Sequence, residues 1–499
     1  MVNIAGEIWE TADRQPEHLA VRTLDSQLTF AELKAASAAA GGYFRQAGVQ
    51  PYDRVLFIAP TVMEFPITYL GLHALGATVI TANTMSTAAE LDYLCEDAGV
   101  SRIVAYSQCA DASGVVAERR DLPLDIIEPG HRYDTEPLTA AHDHDANATA
   151  LILYTSGTTG RPKGAELTAD NLVQTPKMFE PVLQVEPGDR FGTGLPLFHV
   201  FGQCVVMNAV LVQGVTLSIL HPFTPQTMLR MITEHELTVV SGVPTMWNAI
   251  LHAAGDYCAD DFEHLRVASS GGASLPVEVI NAFKKKFGCA ILEGYGLTES
   301  NGTATFNDIR REQKVGTVGP PLPGAAVEIR DPSGQPVEPG TVGEVFITGP
   351  MIFKGYWNRP DATASDLQDG WLRTGDLGSV DADGYLSIVD RVKDLIIRGG
   401  YNVYPREVEE VLYAHPEIVE AAVVGIPHEH YGEEVAAVVV RTPGSTLDAE
   451  GLRAYAKEQL SAYKVPHVIT FTDALPKGAT GKILKRAIDR ASLEAQERA

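Results

Sequence analysis

We predict an α/β fold from three features of the sequence. Apolar segments of strand length alternate with helical patterns over the first third of the chain. The alternation returns at LTVVSGVP (237–244) and LRVASSGGA (265–273), where each apolar segment leads into a turn marked by Gly or Pro. Beyond residue 315, segments with a two-residue period are separated by Gly, Pro and Asp. The first two features indicate βαβ units and a mostly parallel sheet, and the third indicates antiparallel strands.

The first elements follow each other in a regular order. We expect a helix over 28–48 that stops at Gly48, a strand over 53–60, a helix over 64–77, a strand over 78–83, a helix over 86–100 with Ser86 as N-cap, and a strand over 102–107. Ligands of open α/β sheets bind beyond the carboxyl ends of the strands. The loops that follow strands are therefore the favoured places for a site.

The pattern of the sequence also predicts how the chain is divided. Its 499 residues exceed one ordinary domain. After Asp390 the antiparallel pattern gives way to alternating strands and helices, so we place a boundary near Lys393. We predict a large N-terminal domain over 1–390, with two α/β subdomains and a small β-barrel-like subdomain, and a small α+β domain over 394–499.

Composition excludes several classes of protein. Apolar residues make up 45% of the chain, which indicates a globular protein rather than a disordered one. The formal net charge of −25 disfavours nucleic-acid binding through the bulk surface. Five scattered cysteines indicate reduced thiols in the cytosol rather than a disulfide framework or a zinc site. The N-terminus shows no signal peptide pattern, and polar residues interrupt the uncharged stretch 200–220, so we expect a cytoplasmic protein without a membrane span.

The segment YTSGTTGRPKG (154–164) predicts a polyphosphate site. An apolar strand leads into a loop whose glycines, Gly157 and Gly160, allow backbone N–H groups to point inward. Hydroxyl donors and cations complete the loop: Thr155, Ser156, Thr158, Thr159, Arg161 and Lys163. The segment is not a P-loop, because Pro162 stands where that pattern requires a second glycine. A flexible surface turn is the alternative.

Two carboxylates fit the same interpretation. Glu299 in EGYGLTES (293–300) suits Mg²⁺, which takes only one or two protein carboxylates when it accompanies ATP. Asp376 in WLRTGDLG can accept two hydrogen bonds, as a ribose diol would donate. Glu299 alone could equally be a solvated loop residue, and Asp376 alone is more typical of a surface charge.

These motifs, in this order, resemble the adenylate-forming superfamily, which contains acyl- and aryl-CoA synthetases, peptide-synthetase adenylation domains and firefly-type luciferases. The resemblance extends over nearly the whole chain. It implies that Thr298 contacts the α-phosphate, Tyr295 stacks on adenine, and Asp376 and Arg391 contact the ribose. It also implies nucleotide contacts for Thr155, Ser156, Gly157, Thr158, Thr159, Gly160, Lys163, Gly272, Ala273, Gly294, Gly296 and Lys482. Catalytic roles are implied for Lys482, Glu299, Thr155 and His199.

The resemblance further implies a two-step reaction. A carboxylic acid attacks ATP to give an acyl-adenylate and pyrophosphate, and CoA then takes the acyl group. Lys482 in PKGATGKILK would offset charge at the α-phosphorus. The C-terminal domain would then rotate about a hinge at Lys393 and bring Gly399, Gly400 and Tyr401 to the CoA thiol.

The acyl pocket implied by the resemblance is apolar. Its predicted residues are His199, Val200, Phe201, Val243, Met246, Trp247 and Gly271. Amino acids are disfavoured because HVFGQCVVMNAV carries no acidic residue, and a dicarboxylic acid is disfavoured because Gly294 stands where an arginine would be needed. We favour a medium- or long-chain fatty acid, with an aryl acid such as a cinnamate second.

Other readings stay open at this point. A luciferase-like oxygenase shares the motifs, and an acyl-AMP ligase that loads carrier proteins usually carries an insertion, of which none is evident between Thr341 and Asp390. A non-enzymatic ATP-binding protein on the same fold is opposed by the intact Glu299, Asp376, Arg391 and Lys482. We expect ATP, Mg²⁺, CoA and a small acid as ligands, no nucleic acid, and either a monomer or a homodimer.

Overall fold

The computed structural model describes residues 2–155 and 161–498, and it confirms the predicted α/β class. Residues up to 155 form α1 (Ile4–Arg14), β1 (Leu19–Arg22), β2 (Gln27–Thr29), α2 (Phe30–Gln46), β3 (Arg54–Ile58), α3 (Glu64–Leu75), β4 (Thr78–Thr81), α4 (Ala88–Ala98), β5 (Arg102–Tyr106), α5 (Ala110–Arg120), β6 (Leu124–Ile127) and β7 (Thr149–Thr155). Each helix and strand that we expected in this part has a counterpart at nearly the expected place.

The middle of the chain continues the alternation. Its elements are β8 (Lys163–Thr168), α6 (Ala169–Leu183), β9 (Arg190–Thr193), a π-helix (Phe201–Asn208), α7 (Ala209–Gln213), β10 (Thr216–Ile219), α8 (Pro225–Glu234), β11 (Val239–Gly242), α9 (Pro244–His252), β12 (Val267–Ser270), α10 (Val277–Phe287), β13 (Ile291–Tyr295) and β14 (Thr305–Phe306). The uncharged stretch 200–220 is thus helix followed by strand, as the sequence predicted. Within the described residues, no helix combines the length and hydropathy needed to cross a membrane.

The last third contains shorter strands and the C-terminal unit. Its elements are β15 (Ala326–Arg330), β16 (Gly343–Thr348), β17 (Gly355–Tyr356), α11 (Pro360–Asp366), β18 (Leu367–Gln368), β19 (Trp371–Val380), β20 (Leu386–Arg391), β21 (Ile396–Arg398), β22 (Tyr401–Val403), α12 (Pro405–Tyr413), β23 (Ile418–His428), β24 (Gly432–Arg441), α13 (Ala449–Gln459), β25 (Val468–Phe471) and α14 (Arg490–Glu497).

Two large sheets form the framework. One has the strand order β14-β13-β12-β11-β9-β10-β1-β2, and the other has the order β17-β8-β7-β4-β3-β5-β6. The inner strands of both sheets pair in parallel, and antiparallel strands close the edges at β2, β14 and β8–β17. Chain segments far apart in sequence meet in each sheet, because β1 pairs with β10 and β8 pairs with β17.

Two smaller sheets follow. The unit predicted to resemble a barrel is a five-stranded antiparallel sheet in the order β15-β16-β19-β18, with β20 paired to β19. The C-terminal unit has its own five-stranded sheet and its own buried cluster, which includes Val408, Leu412 and Val423. We call this unit, residues 394–498, the lid. The exact domain limits stay a prediction.

The ends of the helices show why they begin and end where they do. Thr29 and Glu32 form a reciprocal capping box at the start of α2, and Gly48 has a φ of +91° just beyond its end. The N-cap of α4 is Thr87, whose hydroxyl accepts a hydrogen bond from the N–H of Glu90. Our assignment of Ser86 was therefore wrong by one residue, because Glu90 supplies the capping box to Thr87 and not to Ser86.

Candidate active site

A cavity of about 330 Å³ lies at the carboxyl ends of β11, β12 and β13. Val239, Ser241 and Val243 line it from alternate positions of β11 and the residue after it, as expected for side chains on one face of a strand. Val239 and Val243 are four positions apart, so this part of the chain forms about 13 Å of the cavity wall. The cavity occupies the place that open α/β sheets offer to ligands. We call it the acyl cavity, after the ligand that the sequence predicts for its lining residues.

A π-helix forms the opposite wall of the acyl cavity. His199, Val200, Phe201, Val205 and Val206 line the cavity, and Phe201–Asn208 is wound as a π-helix. Such wide turns are rare and occur mostly at functional sites. Their spacing of four to five residues per turn brings Phe201, Val205 and Val206 to the same side. Phe201 lies against Gly271, since a Cβ on Gly271 would stand 3.3 Å from the Phe201 ring.

A second cavity of about 310 Å³ adjoins the first, and we call it the nucleotide cavity, after the ligand that the sequence predicts for Tyr295, Asp376 and Arg391. The two cavities share Val243, Gly272, Gly294, Tyr295, Gly296, Leu297 and Lys482. The nucleotide cavity, but not the acyl cavity, is also lined by Ala273, Asp376 and Arg391. Asp376 and Arg391 stand opposite each other in the β19–β20 ladder, which explains why residues 15 positions apart act on one cavity.

Gly296 is required by close backbone packing between the cavities. A Cβ at this position would lie 2.3 Å from the backbone nitrogen of Thr303 and 2.4 Å from the carbonyl carbon of Gly302. Any larger residue would force the backbone apart. This close approach holds the segment from Gly294 to Glu299 across the mouth of the acyl cavity.

Tyr295 and Asp376 form a direct hydrogen bond in the nucleotide cavity. The Tyr295 hydroxyl donates to Asp376 Oδ2 over 2.5 Å. Burial raises the pKa of Asp376, whereas the hydrogen bond from Tyr295 and the charge of Arg391 lower it. Burial also raises the pKa of Tyr295 well above its usual value. The bond fixes the ring of Tyr295. Among residues 2–155 and 161–498 no group donates to Asp376 Oδ1, so this oxygen can accept from a ligand.

A third cleft, of about 370 Å³, contains Thr155, Lys163 and Glu299. The Thr155 hydroxyl lies 3.4 Å from Glu299 Oε1. Sequence analysis missed two residues here, Tyr356 and Asp366. The Tyr356 hydroxyl lies 2.9 Å from Glu299 Oε1 and 3.2 Å from Asp366 Oδ2.

Lys163 completes this network. Its Nζ lies 3.4 Å from Asp366 Oδ2 and 4.2 Å from the centre of the Tyr356 ring. Strand β17 brings Tyr356 to this place, because it pairs with β8 two residues from Lys163. The predicted residues Ser156, Gly157, Thr158, Thr159 and Gly160 lie outside the described residues. The flanking Thr155 and Lys163 both face the third cleft.

Lys482 projects from the lid into both the acyl and the nucleotide cavities. The preceding residue, Gly481, has a φ of +79° and its carbonyl accepts a hydrogen bond of 2.9 Å from the Thr245 hydroxyl. The Lys482 side chain is accessible to solvent because it points into the open cavities. The cavities themselves are enclosed by protein. This enclosure lowers the pKa of Lys482, and so does the charge of Arg391, whereas Asp376 raises it.

His199 is neutral at physiological pH. Burial lowers its pKa to about 4, and the positive charge of Lys482 acts in the same direction. Its Nδ1 accepts a hydrogen bond of 3.3 Å from the backbone N–H of Phe201. The predicted residues Val200, Val243 and Gly271 line the acyl cavity with it, as does Thr298.

Trp247 does not line the acyl cavity, so its assignment as an acyl-pocket residue was wrong. The side chain is fully buried and packs edge-on against Phe283. It lies behind β11, next to Gly242. Successive residues of a strand point to opposite faces, so Gly242 faces away from the cavity that Val243 lines. Met246, on the same helix, packs into the main core.

The predicted CoA residues lie apart from the three cavities. Gly399 and Gly400 have φ values of +57° and +84° and form an exposed turn between β21 and β22. Tyr401 is 61% exposed and stacks on Tyr463 of the lid. The predicted hinge residue Lys393 lines the third cleft. The lid therefore presents Lys482, and not the 399–401 turn, to the site.

Two family models match most of the chain. A family model described as AMP-binding enzyme matches residues 8–357, and one described as AMP-binding enzyme C-terminal domain matches residues 407–482. Feruloyl-CoA synthase of an Amycolatopsis species is 37% identical over 480 residues, which is 96% of this chain and 97% of the relative. Long-chain-fatty-acid–CoA ligase of Bacillus subtilis is 35% identical and covers 96% of this chain and 92% of its own.

Solved structures are similar over the full length. The crystal structure of ATP-bound MatB from Rhodopseudomonas palustris superposes with a TM-score of 0.92 at 33% identity, with 99% of both chains covered. The chain belongs to the AMP-binding enzyme family, which confirms the resemblance seen in the sequence. Within that family it is an ATP-dependent acyl- or aryl-CoA ligase.

Proposed function

We propose that the chain joins an apolar monocarboxylic acid to CoA through an acyl-adenylate. One observation carries this proposal: Lys482 stands where the acyl cavity and the nucleotide cavity meet. An acid in the first cavity and ATP in the second would bring the carboxylate and the α-phosphate together beside one cation. Such alignment and charge stabilisation are what the attack on phosphorus requires.

In the first step a carboxylate oxygen forms a bond to the α-phosphorus, and the bond to pyrophosphate breaks. Lys482 would stabilise the negative charge on the α-phosphate oxygens. His199 is neutral and cannot attract the acid by charge, and a carboxylate needs no base at neutral pH. We assign His199 the role of orienting the carboxylate at the mouth of the acyl cavity.

Glu299 fits the role of a Mg²⁺ ligand. Its Oε1 is engaged by Tyr356, whereas its Oε2 has no hydrogen-bond partner among residues 2–155 and 161–498. Mg²⁺ takes one or two protein carboxylates and completes its shell with water and phosphate oxygens. The ion would neutralise the phosphates of ATP, and Tyr356 would hold Glu299 in the orientation that faces them.

In the second step the CoA thiolate attacks the acyl carbon and AMP leaves. The exposed turn Gly399–Gly400–Tyr401 lies outside the cavities while Lys482 is inside. We propose that a rotation of the lid about residues 391–393 exchanges the two. The division into residues 1–390 and 394–499 belongs to this proposal.

The inner part of the acyl cavity supports an alkyl acid. It is lined by apolar side chains: Phe179, Leu183, Phe191, Leu195, Val206, Val239 and Phe306. The only charged side chains in the lining of this cavity, as far as the structure describes the chain, are Glu299 and Lys482 at its mouth. A second carboxylate or an amino group inside would lack a partner. A medium- or long-chain fatty acid is our first candidate.

A pair of serines favours a second candidate, an aryl acid with a ring oxygen. Ser269 donates a hydrogen bond of 2.8 Å to Ser241 Oγ, and both are buried on the cavity wall. The Ser241 hydroxyl proton has no acceptor among the residues that the structure describes. Ser241 lies two residues, or about 7 Å, below Val243 at the mouth, which suits a substituent on a ring. The similarity to feruloyl-CoA synthase supports this candidate.

A hydroxylamine-trapping screen tests the proposal and separates the candidates. The acids are octanoate, dodecanoate, hexadecanoate, cinnamate, ferulate, malonate and leucine, each with and without CoA. With the fatty acids we expect a hydroxamate, which reports the trapped acyl-adenylate, together with AMP and pyrophosphate. With malonate or leucine we expect no hydroxamate. Release of ADP and phosphate instead would refute the proposal, and a preference for leucine would refute the cavity argument.

One variant sharpens the choice between the two candidates. If ferulate is the better substrate, Ser241→Ala should weaken the reaction with ferulate and leave that with cinnamate, which lacks ring oxygens, unchanged. Ser113→Ala is a matched control, because Ser113 is also buried but lines none of the three cavities. Equal effects of Ser241→Ala on both acids would remove the argument from the serine pair.

A further inference from the structure

The start of α10 is capped by a residue of the lid. Pro276 occupies the N-cap position and has no side-chain oxygen to accept from the first N–H groups of the helix. The backbone N–H of Val277, the first residue of α10, donates instead to Glu410 Oε2 over 3.2 Å. Glu410 belongs to α12, which is packed into the core of the lid through Val408 and Leu412.

The cap joins two units that have separate cores. Helix α10 is anchored in the large domain, where Phe283 and Phe287 belong to the same buried cluster as Trp247. A negative carboxylate at a helix N-terminus is stabilised by the exposed N–H groups and by the helix dipole. The contact exists only while α12 faces α10, so its free energy contributes to this orientation of the lid.

Charged neighbours hold Glu410 in place. Arg406 lies one turn earlier on α12, with Nε 3.9 Å from Glu410 Oε1, and its backbone N–H donates to Asp390 Oδ2 over 2.9 Å. In the large domain, the buried Glu293 accepts a hydrogen bond of 3.1 Å from the N–H of Leu275. The positive charge of Arg406 acts on Glu293 and Glu410, where it opposes the rise in pKa that burial causes, and so reduces the repulsion between these carboxylates and Asp390.

The capped helix follows directly on the nucleotide cavity. Gly272 and Ala273, which line that cavity, precede α10 by only a few residues, and Lys482 enters the same cavity from the lid. Other contacts also span the interface, among them Thr245 to the carbonyl of Gly481, and the Asn248 side chain to the carbonyl of Val419 over 3.1 Å. The Arg406 guanidinium donates to the carbonyl of Ile388, whereas Glu410 places a negative charge at the first N–H of α10.

We infer that Glu410 is a positioning residue for adenylate formation. Its carboxylate caps α10 across the domain boundary and thereby favours the lid orientation in which Lys482 is in the site. The cap is broken when the lid turns to present the 399–401 turn. Glu410 therefore supports the first half-reaction and not the second. The kinetic part of this inference rests on the proposed two-step reaction.

The kinetic test compares two carboxylates of the same helix. Glu410→Ala should slow pyrophosphate release with dodecanoate or ferulate by about two- to thirty-fold, the range found for lost N-caps. Conversion of synthetic dodecanoyl-AMP and CoA to thioester should be unchanged or faster. Glu407→Ala is the control, because Glu407 pairs with Lys464 inside the lid, at 2.6 Å, and contacts no part of the large domain that the structure describes.

A conservative variant separates positioning from folding. Glu410→Gln keeps an oxygen that can accept from Val277 and should recover part of the lost rate. A merely structural role would lower both half-reactions together and reduce the melting temperature in proportion. Equal losses in the two half-reactions, or the same loss in Glu407→Ala, would overturn the inference.

A cross-linking measurement tests the inference without any substrate. In a Cys258→Ser background, N248C and V419C place two thiols at the observed Asn248–Val419 contact. A short bis-maleimide should join them less efficiently when Glu410→Ala is added, and with unchanged efficiency when Glu407→Ala is added. An unchanged cross-linking yield in Glu410→Ala would refute the role of the cap. This outcome does not depend on the proposed function, because it can be measured even if the protein is inactive with dodecanoate and ferulate.

Discussion

Replacing Lys482 should separate the two half-reactions. In the part of the chain that the structure describes, Lys482 is the only lysine or arginine that lines the acyl cavity. Lys482→Met keeps most of the side-chain volume and removes the charge at the junction of the two cavities. No other described cation of the acyl cavity could replace it during attack on the α-phosphorus.

The expected loss of rate follows from the absence of a second described lysine or arginine in the lining of the acyl cavity. Removal of one group that stabilises transition-state charge in an enclosed site lowers the rate by about 10²- to 10³-fold, or roughly 3–4 kcal/mol. We expect this loss in pyrophosphate release. Thioester formation from supplied dodecanoyl-AMP should change by less than about threefold, because Lys482 leaves the site in the proposed second orientation.

The assay measures both half-reactions on the same preparations. Lys477→Met is the matched control, because Lys477 lies on the same turn and pairs with Glu420 at 2.6 Å instead of entering the acyl cavity. It should retain both activities. If Lys482→Met lost both half-reactions equally, the division of labour between Lys482 and the 399–401 turn would be wrong.

Three further changes test other parts of the structure. Tyr356→Phe removes the hydrogen bond to Glu299 and should raise the KM for ATP by about 5- to 30-fold, equivalent to about 1–2 kcal/mol, with the KM for the acid unchanged. Trp247→Ala should lower the free energy of unfolding by about 3–5 kcal/mol in urea titrations, yet leave the order of preference among acids unaltered, since Trp247 is buried behind the cavity. Burial lowers the pKa of His73 to about 3, so on acidification the unfolded chain takes up this proton near pH 6.5, whereas the folded protein takes it up only near pH 3. The free energy of unfolding therefore falls as the pH drops below 6.5. At pH 5 this loss is about 2 kcal/mol, and His73→Phe should remove that part of the difference between unfolding at pH 7 and pH 5.

Much of the framework could be predicted from local patterns. Strand length, helix length and the turns marked by Gly or Pro located β3 to β5 and β11 to β12, because these signals lie within a few residues of each other. The motif residues could also be named individually. Local patterns could not show that these residues converge, since Lys482 comes from a turn of the lid and Asp376 from β19, and the two meet only in the folded chain.

The residues that sequence reasoning missed share one property. Tyr356 reaches Glu299 because a two-residue edge strand pairs with β8, and Glu410 reaches Val277 because the lid docks there. No periodicity reports such contacts. The error at Trp247 has a related cause: the residue follows a cavity-lining strand closely, but α9 turns its side chain toward Phe283, on the other side of the sheet.

The π-helix gives this enzyme an unusual way to change its substrate range. A π-turn contains one residue more than an α-turn, so deletion of a single residue between Phe201 and Asn208 would restore ordinary winding. The flanking helical segments would keep nearly their present orientation, because an α-turn covers the same angle as a π-turn with about one residue fewer. The loss of one codon would therefore reshape the wall of the acyl cavity between Phe201 and Asn208 and leave the surrounding framework in place.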